Sequence, residues 1–460
     1  MYFEYIHSEI IDDRIDAQFF TPEYIKSLKK INQFRIETLG NISRRIFDPP
    51  HTAPEFVDKS DFEMIMIENI TLNGIEGNFR AISETCHKDI FKNSHLEGNE
   101  LLVSRVGNSS GTFASVFPCY KGKNVSGNIS IIKLKDEIID KEYAFAYFNS
   151  NIGQNSIKRN IANTARKFLT ISKIREFQVP IPSPEIQKYI GDKVRKAEEL
   201  REEAKRLKKE AEEIINESLN IKQLDVLFEG SKVKFEWASA EILTDRIDAN
   251  YYEQKYVETI NHIKKYSKKY VTLISIIDSI YTGKKPIYYE KGIEAYFVQS
   301  GNISSNFLEL DNKAKVDLSK YNQVLFGDLL IAKDGETIGK IAINLTNETI
   351  IINEHTYCVR LKEEYKYYSA YIYYFLTNKF INPLIRREAT GSAQKGLNFT
   401  FAENIIIPLL EEDKIMNLYN LELRRCNNIY KSKQIIQEAK QDVEDLIEGN
   451  FDMSKVKANS

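Results

Sequence analysis

The run Asp13-Arg14-Ile15-Asp16-Ala17-Gln18-Phe19-Phe20 returns as Asp245-Arg246-Ile247-Asp248-Ala249-Asn250-Tyr251-Tyr252, 232 residues further along a chain of 460. Glu9-Ile10 aligns with Glu241-Ile242 and Tyr5 with Trp237 at the same spacing. At a spacing of 228, Leu101 to Gly107 and then Gly111 match Leu329 to Gly335 and then Gly339. Ala165-Arg166-Lys167, Leu169 and Pro180 likewise match Ala393-Gln394-Lys395, Leu397 and Pro408. A period of half the chain means one unit written twice, with loops of different length between matching elements. Such a molecule binds something in two places.

Within each half the apolar runs are short and β-rich, as in Phe62 to Ile67, Ile129 to Leu134, Ala295 to Val298 and Ile350 to Leu361. Gly and Asn punctuate them, which predicts strands of a compact α/β unit. Each half also carries an aromatic helical segment, Tyr143 to Phe148 and Tyr371 to Phe380, whose rings read as core. After Pro180-Ile181-Pro182-Ser183-Pro184 the pattern changes. Ala197, Leu200, Ala204, Leu207, Ala211 and Ile214 fall three and four apart, a heptad seam flanked by alternating charges. The second half repeats the change after Pro408, with Ile415, Leu418, Ile429, Ile436, Ala439, Val443 and Leu446 on the seam and Glu422, Arg425 and Ser432 interrupting it.

Composition removes several classes. With 64 basic and 66 acidic residues the chain is not globally basic, although local basic faces remain open. Cys86, Cys119, Cys358 and Cys426 lie far apart without a Cys-x-x-Cys pair, so neither a zinc site nor a disulfide framework is expected. No charged-then-apolar leader and no run of about 18 apolar residues appears, which predicts a cytoplasmic protein.

A helix from about residue 184 to 220 is roughly 55 Å long at about 1.5 Å per residue, too long to fold back within one unit. A second helix on the same seam must then run the other way. The expected fold is α/β (α+β), two globular domains separated by two long antiparallel coiled-coil helices in a pseudo-twofold internal duplication. The boundaries are 1–183, 184–222, 223–410 and 411–449, with a tail at 450–460. Two heads held apart match the interval of about 34 to 36 Å between successive major-groove faces of duplex DNA. The same spacer suits a two-headed protein-interaction scaffold without DNA recognition equally well, and geometry leaves the two open.

Residues 328 to 335 (Asp-Leu-Leu-Ile-Ala-Lys-Asp-Gly), the segment Gly391-Ser392-Ala393-Gln394-Lys395-Gly396-Leu397 ahead of an Ile-Pro strand, and the repeated Asp-Arg-Ile-Asp-Ala occur in the order unit, helix, unit, helix. This arrangement resembles the specificity subunit of type I restriction-modification enzymes, over essentially the whole chain. The first half departs from the usual form, with Asn163-Thr164-Ala165-Arg166-Lys167-Phe168 in place of Gly-Ser-Ala-Gln-Lys-Gly. The resemblance implies two target recognition domains, each reading one half of an asymmetric bipartite site in double-stranded DNA. It implies no catalysis and no cofactor in this chain. Two methyltransferase subunits carrying AdoMet are the implied partners on the helices, joined for restriction by motor-nuclease subunits that use ATP with Mg.

Basic and amide residues in loops are the DNA-contact candidates, because Arg and Lys pair with guanine edges and Asn and Gln with adenine. In the first half these are Arg44, Arg45, His51, Arg105, Asn108, Ser109, Arg159, Asn163, Arg166 and Lys167. In the second they are Lys284, Lys285, Lys333, Arg386, Arg387, Ser392, Gln394 and Lys395. Three motifs imitate other chemistry. Asp48-Pro49-Pro50-His51 resembles an amine-methyltransferase motif but lacks an AdoMet-binding glycine turn. Gly283-Lys284-Lys285 lacks the upstream glycine of a phosphate loop, and Pro286 bars the following helix. Asp334-x-Glu336 lacks the lysine of a nuclease metal pair. The Asp-Arg-Ile-Asp-Ala copies read as structural joints, with Arg14 and Arg246 bridging carboxylates and the apolar residues packing on a helix end.

Overall fold

Every sheet of the first half has a counterpart in the second. The computed structural model describes residues 19–161, 168–228, 246, 248–287, 291–304, 307–391 and 395–458. In the first half a four-stranded antiparallel sheet runs in the order Ser43–Phe47, Ile129–Leu134, Leu101–Ser104, Phe113–Ser115. In the second half the order is Ile277–Thr282, Thr356–Leu361, Leu329–Ala332, Ile341–Ile343. Registers repeat as well: Leu101 faces Ser115 as Leu329 faces Ile343, and Ile36 faces Pro180 as Tyr270 faces Pro408. A three-stranded sheet in each half contains one parallel pair, Met64 with Asn124 and Phe297 with Ile351. Even the caps correspond, since Asn69 Oδ1 accepts from Met66 N at 2.9 Å and Asn302 Oδ1 from Gln299 N at 3.0 Å.

The central strands lack polar alternation because both of their faces are covered. Leu101 and Val103 point into the core shared with the helices, while Leu102 between them points into a second core with Ile65, Val125 and Ile131. The helix Lys141–Asn149 is buried almost throughout, and its Tyr143 hydroxyl donates to the Pro180 carbonyl at 3.0 Å. Tyr371 does the same to Pro408 at 2.8 Å. These hydrogen bonds let a phenol sit in an apolar core without an orphaned donor.

Two long helices follow, Pro184–Ser218 and Glu412–Glu448. The compact units are Met1–Glu202 with Ile429–Ser460, and Glu203–Asn428, so each long helix contributes one part to each unit. Within the first unit Ile186, Ile190, Val194 and Ala197 share a core with Ile436, Ala439, Val443 and Ile447. Lys193 reaches Asp442 at 2.5 Å while Tyr189 packs on Phe451, so the segments run antiparallel. Within the second unit Arg424 pairs with Glu203 at 3.3 Å. Ala204, Leu207, Ala211, Ile415 and Leu418 are buried as the seam predicts. Leu200 and Ile429 are only half-buried. At two positions the seam is displaced by one residue: Ile215 and Ile447 are buried, whereas Ile214 and Leu446 are half-exposed. A helix of about 3.6 residues per turn drifts away from a strict seven-residue repeat, and four-residue steps restore the inward face.

The polar interruptions of the seam are buried. Glu422 and Arg425 pair at 2.6 Å, and the Tyr374 hydroxyl donates to Glu422 at 2.5 Å. In the first unit Glu198 and Arg201, at non-equivalent positions, form a similar pair at 3.2 Å, with the Tyr120 hydroxyl on Glu198 at 2.9 Å. Gly191 lies where the first long helix passes the cap of the aromatic helix; an added Cβ would stand 2.4 Å from the Asp140 carboxylate, which Arg195 also holds at 3.0 Å. No described helix is long and apolar enough to cross a membrane.

Lys440 is 5 % exposed and its ammonium makes no hydrogen bond or ion pair among the described residues. Burial, with repulsion from Arg201, lowers its pKa from 10.5 to about 8. The folded state therefore binds fewer protons than the unfolded chain between these values. The penalty for burying the ammonium is fully present below about pH 8 and is relieved as pH rises toward 10.5. Lys440→Met should accordingly stabilise the first unit at pH 7. Its advantage over the wild type should shrink by up to about 3 kcal/mol between pH 8 and 10.5. Urea unfolding of both proteins across that range measures the difference, and a gap independent of pH would exclude a neutralised lysine.

Candidate nucleic-acid interface

Loops converge on one end of each four-stranded sheet. In the first unit the turns after Phe47 and Ser104 meet the turn before Ile129 there. Arg105 N donates to Asn128 O at 3.0 Å, and Leu169 N to Arg105 O at 2.9 Å. In the second unit Lys333 N donates to His355 O at 3.1 Å, Leu397 N to Lys333 O at 2.8 Å, and Gly283 N to Asn353 O at 3.1 Å. The turn after the third strand depends on glycine in both copies, with φ of 73° and 89° at Gly107 and Gly111 and of 66° and 78° at Gly335 and Gly339. Those values lie in the left-handed region that side chains disfavour.

This end presents His51, Asn108, Lys284, Lys285 and Lys395 as exposed side chains, with Ser109 and Lys333 half-buried. It also presents two residues that pattern reading passed over, Asn128 and His355, which precede matching strands. His355 Nδ1 lies 2.8 Å from Asp334 Oδ2, so the exposed ring is oriented by a carboxylate. The only signal for this pair in the sequence was their equivalent place in the two halves.

Other candidates lie elsewhere or face inward. Arg105 is buried against Asp48 at 2.5 Å and donates from Nε to Leu169 O at 2.9 Å. Its guanidinium holds the loop from inside rather than meeting solvent. Arg159 stacks on Phe19 at 3.7 Å and donates to the Phe19 carbonyl at 3.2 Å. Arg387 stacks on Tyr251 at 4.3 Å and donates to the Tyr251 carbonyl at 3.4 Å. The two arginines occupy equivalent places and fasten the segment after each Asp-Arg-Ile-Asp-Ala copy to its unit. In the second copy Arg246 pairs with Asp248 at 2.8 Å and donates to the Arg387 carbonyl at 3.2 Å. Arg44 sits at a register shift near the opposite end of the sheet, bonded to Glu137 at 2.9 Å, and Arg45 lies over Phe47 at 4.2 Å. Arg386 is exposed at the end of the short helix Asn382–Arg387. Asn163, Arg166, Lys167, Ser392 and Gln394, with Arg14 and Ile247 of the joints, lie outside the described residues.

The imitating motifs have local explanations. Asp48 accepts from the Ser130 hydroxyl at 2.6 Å in addition to pairing with Arg105, so it shapes the loop. A Cβ at Gly283 would stand 1.8 Å from the Ile352 carbonyl oxygen, which accounts for that glycine by close backbone approach. Asp334 is engaged by His355, and Glu336 is exposed. Among the described residues Cys119, Glu198 and Glu202 bring possible metal ligands together, but Glu198 already serves Tyr120 and Arg201.

Residues 29–213 match the family model of the type I restriction modification DNA specificity domain. That stretch takes in the first unit's sheets and most of the first long helix, and over it the chain is similar to this family. No curated protein matches the chain. Among solved structures it is similar to a type I restriction-modification system S subunit from M. genitalium, at 14% identity over 92% of this chain and 95% of that one, with a TM-score of 0.40. It is also similar to the HsdS subunit from Thermoanaerobacter tengcongensis, at 15% identity over 91% and 96%, with a TM-score of 0.28.

The buried and exposed members of the adjacent pair should separate cleanly. Arg387→Ala removes a stacked, hydrogen-bonded cation and should destabilise the second unit by about 1 to 3 kcal/mol. Arg386→Ala, on the surface, should stay within about 0.5 kcal/mol of the wild type. Urea unfolding of the two variants decides; equal effects would remove the fastening role assigned to Arg387.

Proposed function

We propose that the chain is the specificity subunit of a type I or closely related restriction-modification system, a DNA-binding subunit without catalytic groups of its own. The observation that carries this reading is one scaffold built twice with unlike side chains at the same loop positions. Arg105, Val106 and Asn128 in the first unit correspond to Lys333, Asp334 and His355 in the second. A repeated scaffold with divergent tips suits two different half-sites, and a DNA specificity domain match over the first unit supports duplex DNA as the ligand. Each unit would read one half-site through the exposed tips while Arg105 holds its loop from within. The exposed flanks of the long helices are the proposed docking surface for two methyltransferase subunits, which would bring AdoMet. Restriction subunits would bring ATP and Mg.

The test is co-expression with a type I methyltransferase subunit, followed by methylome sequencing. His51→Ala with Asn108→Ala should relax base preference in one half of the split target only. Lys284→Ala with Lys285→Ala should relax the other half only. Each lost base contact should reduce discrimination about 10- to 100-fold, the equivalent of about 1 to 3 kcal/mol. Changes falling in the same half-site for both variants, or in neither, would refute the division of labour between units.

A further inference from the structure

Beside the second joint lies a cavity of about 550 Å³, lined among others by Arg246, Tyr251, Tyr256, Arg386, Arg387 and Lys395. Its two carboxylates are already matched: Asp248 pairs with Arg246 at 2.8 Å and Glu253 with Lys255 at 2.5 Å. Arg387 is matched as well, 3.4 Å from Glu388. Arg386 and Lys395 remain, both exposed, and neither side chain is in an ion pair or hydrogen bond among the described residues. The stem of Arg386 lies where a Cβ on Gly339 would be 3.2 Å away, so that glycine gives the arginine its place against the loop. The cavity thus has a rigid floor of matched charges and two unmatched cations at its edge.

The same set of cations is written into both halves of the repeat. Arg246, Arg386, Arg387 and Lys395 correspond to Arg14, Lys158, Arg159 and Lys167, so every cation of the set is a cation in both halves. Lys158 is exposed, as Arg386 is. The tip residues differ between the halves at Val106 and Asp334 and at Asn128 and His355. Two units that read different bases still share one ligand feature, the phosphodiester backbone. We infer that the cavity at the second joint is a sequence-independent anion site taking backbone phosphates of duplex DNA, with Arg386 and Lys395 as the contacting cations and Arg246 and Arg387 as positioning residues. The inference rests on the reading that the units bind DNA, and it separates holding the duplex from reading it.

The test uses the full chain carrying Arg386→Gln and Lys395→Gln together. For the DNA arm, duplex affinity is measured from about 50 to 200 mM salt with several unrelated sequences. Loss of two phosphate contacts should lower the slope of log affinity against log salt by about 1.8, at about 0.9 per contact, and by the same amount for every sequence. An unchanged slope, or a loss confined to one sequence, would overturn the inference. For the independent arm, thermal unfolding is followed with inorganic phosphate against chloride at matched ionic strength. Wild type should be stabilised more than the double variant, and equal shifts would overturn the anion site whatever the DNA arm gives. Phosphate stabilisation specific to the wild type, without duplex binding by the wild type, would overturn duplex DNA as the ligand and with it the proposed function, while leaving a functional anion site.

Discussion

The structure depends on buried Glu–Arg pairs that tie each globular unit to its share of the long helices. Glu422 with Arg425, and Glu198 with Arg201, are i, i+3 pairs on inward helix faces, and each glutamate accepts a tyrosine hydroxyl from the adjoining unit core or hairpin. Removing one member of such a pair strands a buried charge, at a cost of about 3 to 5 kcal/mol. An apolar seam tolerates sliding because leucine and alanine fit many registers. A carboxylate that must meet both a guanidinium and a phenol does not. The pairs therefore set where the first unit's sheets meet residues 184–202 and where the second unit's meet 412–428.

Fixing those joints leaves the far end of each sheet free to vary. The backbone hydrogen bonds at that end recur from one unit to the other, from Arg105 and Asn128 to Lys333 and His355, and the left-handed glycines recur with them. Side chains on this constant frame differ in charge and shape. On the proposed reading, stability and recognition fall to different residues, which would let one half change its preference without disturbing its neighbour's core.

Much of this organisation was legible in the chain. The repeats at spacings of 232 and 228 located matching elements, and the heptad rhythm located both long helices, because these are period signals that local sequence carries directly. Side-chain direction was harder to read. Arg105, Arg159 and Arg387 have the composition and spacing of DNA contacts, yet each serves a buried ion pair or an aromatic face. Arginine in a glycine-rich segment looks the same from the sequence whether its guanidinium turns in or out. His355 was overlooked for the converse reason, since a lone histidine before a strand carries no pattern until Asp334 is found 2.8 Å from it.

The sequence by itself determined the duplication, the alternation of α/β units with long helices, and the resemblance to type I specificity subunits. These follow from periodicity and repetition, which need no knowledge of distant contacts. Tertiary structure alone decided which cations are matched. Arg246 and Asp248 are near in sequence, but Arg387 meets Tyr251 across 136 residues, and Arg386 and Lys395 stand out only once their neighbours' charges have been paired off. Electrostatic complementarity depends on distances of a few ångströms, and the folded chain sets those distances.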